Sequence, residues 1–268
     1  MSSLSNTVRP FRALSFAALA LGGFLCHASA ADAPAKARAA EKEQTPADTK
    51  ATAVAPSAAG TNVLIIRNVR SWKRKTDFEE ALKELDQKFD VKLSAEIGIT
   101  DLSRYRTVII PGAQWKDDYY NQYMDNVALF DRYVTNGGTL LLELNGAENF
   151  NITLPRGVTM VRHGSKDNAI LLPKHPILDP LNGQPIHANY ASHGYLEGAP
   201  KDALILATEE EAEQPVLNKP TFIEYKHGTG RVIAACQCFH DQDGSGRGIL
   251  METAISYAAD RQWYVSKK

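Results

Sequence analysis

The chain has 268 residues, 44% of them hydrophobic and 23% charged, with 30 Lys and Arg against 31 Asp and Glu. That length supplies one domain with a substantial core. A net charge of −1 argues against a general nucleic-acid binder, which would carry a basic face.

The first thirty residues read as an export signal. Arg9 and Arg12 supply the positive start, Ala13 to Leu25 a short apolar run, and Ala28-Ser29-Ala30 the small residues a signal peptidase requires. The run is shorter than the ~20 residues of a spanning helix, and no later run could cross a membrane. Phe24 and Leu25 are bulky for the position before a lipidated cysteine, so Cys26 is expected to leave with a signal cleaved after Ala30. The mature chain would be periplasmic or secreted. Residues 31–60 hold no aromatic residue and a single Val, too little apolar surface to offset ordering entropy, and are expected to form a disordered linker. The folded domain is expected over 61–268.

Val63 to Ile66 is a continuous apolar run rich in β-branched residues, as in a strand buried on both faces. Thr76 and Glu79 form a capping box, and Phe78, Leu82, Leu85 and Phe89 share a helical face. A short strand, Val91 to Ser94, follows, then a buried strand, Thr107 to Ile110, ended by Pro111-Gly112. Val127, Phe130 and Val134 mark a second helix, stopped by Asn136-Gly137-Gly138 before a strand from Thr139 to Leu144. Residues 162–200 form a long polar excursion. Thr221–Tyr225 and Arg231–Cys236, joined by KHGTG, predict an antiparallel hairpin, and a last helix runs from about Gly248 to Asp260. Alternating strands and helices predict an α/β fold with a mostly parallel sheet flanked by helices and an antiparallel C-terminal hairpin.

Ligands in such sheets sit beyond the carboxyl ends of the strands. The residues just past those ends are Asn68, Arg70 and Trp72, then PGAQW, then NGAEN, and finally FHDQD.

Three of these stretches carry a resemblance. VIIPGA (108–113) resembles the strand and glycine turn that make the oxyanion hole of the class I glutamine amidotransferase-like superfamily, whose fold is a flavodoxin-like three-layer sandwich. NGGTLLLELNGAEN (136–149) is similar to the helix end, strand and elbow that carry its nucleophile, and CFHD (238–241) to its terminal histidine segment. HPIL at 175–178 and the GTGRVIA hairpin recur in secreted, uncharacterised members. The resemblance covers roughly residues 62–260 and implies this fold. It departs at the chemistry: no Cys, Ser or Thr lies between Asn145 and Phe150, so the covalent acyl intermediate has nothing to form on. His240 stands at the family's histidine, but Gln242 replaces the glutamate two residues on, leaving Asp241 or Asp243 to orient the ring.

CQCFHDQDGSGRGILME (236–252) admits rival readings. Cys236, Cys238 and His240 fall on one face of an extended strand, as a Cys238–His240 pair, a Cys236–Cys238 disulfide, or small apolar filling. Asp241, Asp243 and Ser245 occupy the first, third and fifth places of a twelve-residue calcium loop, with Gly246 sixth and Glu252 twelfth. Against it, a strand leads in, Gly248 replaces the usual aliphatic residue, and no partner loop exists; such residues also simply cap a helix. RNVRSWKRK (67–75) reads as a solvated loop or an anion or sugar platform built on Arg70 and Trp72. NYASHGYLEGAP (189–200) reads as a lid or packing segment, because Ser192 and His193 are sequence neighbours, a poor arrangement for a catalytic pair.

The leading expectation is an exported amidotransferase-like domain without the elbow cysteine, binding a carbohydrate or envelope fragment, or a partner protein, through Asn68, Arg70, Gln114, Asn145, Glu148, His193 and His240. The first alternative is a hydrolase with His240 as general base and Glu148 or Asp241 assisting; the second is a structural envelope protein. Apart from the calcium loop, no cofactor is expected.

Overall fold

The computed structural model describes residues 62–69, 78–114, 118–145, 151–239, 249–259 and 264. Among the described residues ten strands form one mixed sheet. Its first part is parallel: β1 (Val63–Ile66) lies between β2 (Phe89–Lys92) and β3 (Thr107–Ile110), and β4 (Thr139–Glu143) joins β3. The sheet then jumps in sequence to β10 (Gly230–Ala235), parallel to β4.

The parallel strands are buried on both faces, and period-2 alternation divides their side chains between two cores. Leu64, Ile66, Val108, Ile110, Leu140 and Leu142 face one side, where α2 (Asp118–Asp125) and α3 (Val127–Thr135) bring Tyr119, Tyr123, Phe130 and Val134. Val63, Ile65, Ile109 and Leu141 face the other, against Phe78 and Leu82 of α1 (Phe78–Glu84) and Leu250 and Ala254 of α4 (Ile249–Ala259). Each fully covered aliphatic or aromatic side chain stabilises the fold by roughly 1.5–3 kcal/mol.

Beyond β10 the direction alternates. β9 (Gln214–His227), β8 (Leu204–Glu211), β6 (Thr159–Ile170) and β5 (Ile152–Thr153) follow in antiparallel order, and β7 (Ile186–Glu197) pairs with β6. Among the described residues five of the nine strand pairings are antiparallel. This overturns the mostly parallel, flavodoxin-like sheet expected from sequence. The reason is legible in β6: Thr159–Ile170 reads TMVRHGSKDNAI and leaves His163 and Gly164 exposed. An antiparallel strand can keep one face in water, so a polar stretch that reads as an excursion is in fact a twelve-residue strand.

Smaller corrections have equally local causes. The first helix stops at Glu84, and Asp86 turns left-handed at φ 50, so Phe89 opens β2 instead of lining a helical face. Ser94 begins a 3-10 segment rather than ending a strand. The expected hairpin is present and longer. His227 pairs with Gly230, so the loop is Gly228-Thr229, and Gly228 takes φ +60 at its first position, as a two-residue hairpin loop requires.

Behind the sheet, a buried polar network anchors α4. Ile177 N–H donates to His175 Nδ1 at 3.3 Å, so the ring proton lies on Nε2 and is given to Glu224 at 3.0 Å. Tyr257 Oη donates to the same carboxylate at 2.9 Å, and Arg231 stands 3.5 Å from it. The Arg231 guanidinium also caps the end of α4 through the Tyr257 and Ala258 carbonyls. No helix among the described residues is long and apolar enough to cross a membrane.

Candidate functional site: the carboxyl rim of the parallel strands

β1, β3, β4 and β10 end side by side, and their last residues are tied to one another. Gln114, 1% exposed, is fully used by the protein itself. Its Oε1 accepts the Asn68 and Val69 N–H groups at 2.8 and 3.0 Å, and its Nε2 donates to the Val69 and Gly112 carbonyls at 2.8 and 3.3 Å. Asn68 Oδ1 in turn accepts the backbone N–H and the hydroxyl of Ser94, both at 2.9 Å. Two residues expected to face a ligand are thus clamps that hold the β1 and β3 ends together.

The next layer centres on Glu143, the last residue of β4 and 3% exposed. Its carboxylate accepts Gly112 N–H at 3.0 Å, Phe239 N–H at 2.7 Å and Asn145 Nδ2 at 3.2 Å, joining the ends of three strands. Gly112 is required here, because a Cβ would lie 1.5 Å from Asn145 Oδ1. Ala113 is left-handed at φ 56 and donates its N–H to the Asn145 carbonyl at 2.7 Å, an oxygen that also accepts Tyr120 Oη at 3.0 Å. Burial, reinforced by the Glu143 carboxylate, pushes the Tyr120 phenol well above its ordinary range, so it stays a donor. The amides of Gly112 and Ala113, which the sequence likens to an oxyanion hole, are both bonded inside the protein.

Asn145 closes the floor. Its Nδ2 donates to Glu143 and to the sulfur of Cys238, which uses both amide hydrogens. Its Oδ1 is buried and has no hydrogen-bond partner among the described residues. A flipped amide would turn that oxygen onto the Glu143 carboxylate, so the assignment is fixed by the network.

The histidine beside Cys238 comes from β7. His193 N–H donates to the Cys236 carbonyl at 2.9 Å, and this backbone register sets the ring against the neighbouring thiol, with Nε2 3.9 Å from Cys238 Sγ. The ring also stacks on Tyr190 at 5.5 Å and 23°, and Tyr190 is 62% exposed. The 189–200 segment is therefore largely strand, not a lid. Cys236 points into the apolar core, where burial, then the Glu209 carboxylate, raises its thiol far above the ordinary value. Cys236 and Cys238 are not bonded to each other in the structure.

The structure thus joins Asn68 to Gln114, and Asn145 to Cys238 and His193. Arg70, Glu148 and His240, with Asp241, Asp243 and Ser245 of the calcium loop, lie outside the described residues; Glu252 sits in the first turn of α4. Sequence reasoning passed over Glu143, although a carboxylate ending the apolar run TLLL was a visible signal. It also missed the Cys238–His193 pair, which needs the β7 register.

No family model matches the chain. An uncharacterised protein of Clostridium acetobutylicum is 25% identical over 175 residues, and the match spans 64% of this chain and only 17% of that relative's length. Among solved structures, a cytoplasmic protein of Salmonella typhimurium covers 74% of this chain and 97% of its own at 16% identity and a TM-score of 0.44. A candidate GMP synthase component from Thermoplasma acidophilum covers 74% and 96% at 14% identity and 0.47. A β-galactosidase of Bacillus circulans covers 74% of this chain and 30% of its own at 14% identity and 0.44.

Proposed function

We propose that this chain is an exported domain that binds a small, uncharged, hydroxyl- or amide-bearing molecule, of carbohydrate or envelope-fragment type, at the carboxyl rim of its parallel strands. The observation that carries this reading is the Asn145 Oδ1 atom, a buried acceptor with no donor among the described residues. Leaving such an atom unmatched costs about 1–3 kcal/mol, which a ligand O–H or N–H would recover. The exposed Tyr190 ring, stacked on His193, adds a flat apolar face of the kind that sugar rings pack against. Glutamine hydrolysis is not part of the proposal, because the elbow lacks a nucleophile and the turn amides are already bonded.

Calorimetry of the mature protein against methyl glycosides and soluble envelope fragments tests this. Saturable binding is expected, weakened about tenfold in Tyr190→Ala, equivalent to about 1.4 kcal/mol. Flat heats and an unmoved melting midpoint across the panel would overturn it. Export is tested separately: the N-terminus of the protein recovered from the periplasm or medium should begin at Ala31, and an intact Met1 there would refute cleavage.

A further inference from the structure

We infer that Cys238 is a nucleophilic thiol, served by His193 as its base, that adds reversibly to the carbonyl carbon of a small aldehyde at the rim. The inference rests on the rim reading above for its place, but not on which polyol binds there.

Three features carry it. The sulfur has a base within reach: His193 Nε2 stands 3.9 Å away, a separation typical of such pairs before a substrate tightens them. It also receives a hydrogen bond from Asn145 Nδ2, which fixes the orientation of the sulfur. Finally, its backbone is pinned on both sides, by Cys236 N–H to the Thr221 carbonyl at 2.8 Å and by Phe239 N–H to Glu143 at 2.7 Å. Cys236, two residues back, has none of this surrounding chemistry and serves as an internal control.

The unmatched acceptor selects the class of electrophile. Attack on an ester or amide would create an oxyanion, which needs donors. Here both Asn145 amide hydrogens and the Gly112 and Ala113 N–H groups are already engaged. Addition to an aldehyde also passes through an alkoxide, but with no leaving group to expel it takes the His193 proton and rests as a neutral hydroxyl, for which the unmatched Asn145 Oδ1 offers an acceptor. In the step, the Cys238 proton passes to His193 Nε2 and the sulfur forms a bond to the carbonyl carbon. The carbon–oxygen π bond breaks, and the oxygen takes the proton back from His193. The product is a thiohemiacetal. Nothing leaves, and no oxidant or reductant is needed.

The test uses the mature chain and glycolaldehyde labelled with carbon-13 at the carbonyl. A thiohemiacetal carbon resonance, distinct from lysine imines, is expected in the native protein and in Cys236→Ser, and absent in Cys238→Ser. In His193→Ala its formation should slow by on the order of 100-fold. Iodoacetamide labelling of the native chain, read peptide by peptide, needs no variant to fold: Cys238 should be alkylated before Cys236 and protected by glycolaldehyde. No resonance, a resonance surviving Cys238→Ser, an unchanged rate in His193→Ala, or Cys236 reacting as fast would each overturn the inference. A methyl glycoside has no carbonyl to attack, so its calorimetric binding reports on the rim reading alone.

Discussion

Gly112 shows how tightly single atoms are placed at the rim. A Cβ there would meet Asn145 Oδ1 at 1.5 Å and the Asn145 carbonyl at 3.0 Å. Gly112→Ala must therefore push the Asn145 amide away from Glu143 and Cys238. We expect a loss of about 1–3 kcal/mol, measured by urea denaturation. Much of it should return in Gly112→Ala with Asn145→Gly, where the side chain in the way is gone; additive costs in that pair would show the clash is not the cause. Gln114 teaches the converse: its four polar contacts all go to backbone, so a residue type suited to ligand binding acts as a clasp.

Among the elements, α4 and the β9–β10 hairpin depend on charges buried together. Glu224 is 1% exposed and shared by His175, Tyr257 and Arg231. Arg231→Met removes the cation and the cap on the last carbonyls of α4 while keeping much of the volume. Because it strands a buried carboxylate, a loss of about 3–5 kcal/mol is expected, with the helix signal falling before the rest on denaturation. Arg231→Met combined with Glu224→Leu should cost less than the single change. A double variant as unstable as the sum would mean the two residues act independently.

Across the whole molecule, tyrosines buried in and around the core predict alkaline lability. Tyr119, Tyr120, Tyr123, Tyr133, Tyr225 and Tyr257 are all raised above their ordinary value of 10.0, chiefly by burial. The unfolded chain would ionise them near pH 10 while the folded chain holds their protons. Their contribution is therefore complete below about pH 10 and declines as pH rises further. Phenolate absorbance should appear in a cooperative step that coincides with loss of helix signal. A smooth, non-cooperative titration with the fold intact would contradict this burial.

Local pattern alone announced most of the parallel half of this protein, though not α2 or the start of β2. VLII, TVII and TLLL read as strands covered on both sides, the 127–134 spacing as a helix, and KHGTG as a hairpin, because period and turn chemistry act over a few residues. The missing elbow nucleophile is equally a property of the sequence. The antiparallel half was decided by tertiary structure, since β6 and β7 are too polar to announce themselves and become strands only through partners far along the chain. The same holds at the rim: Cys238 and His193 are 45 residues apart, and only the pairing of His193 with the Cys236 carbonyl brings sulfur and imidazole together. A pattern in sequence records which face is apolar; it does not record which distant backbone will supply the hydrogen bond.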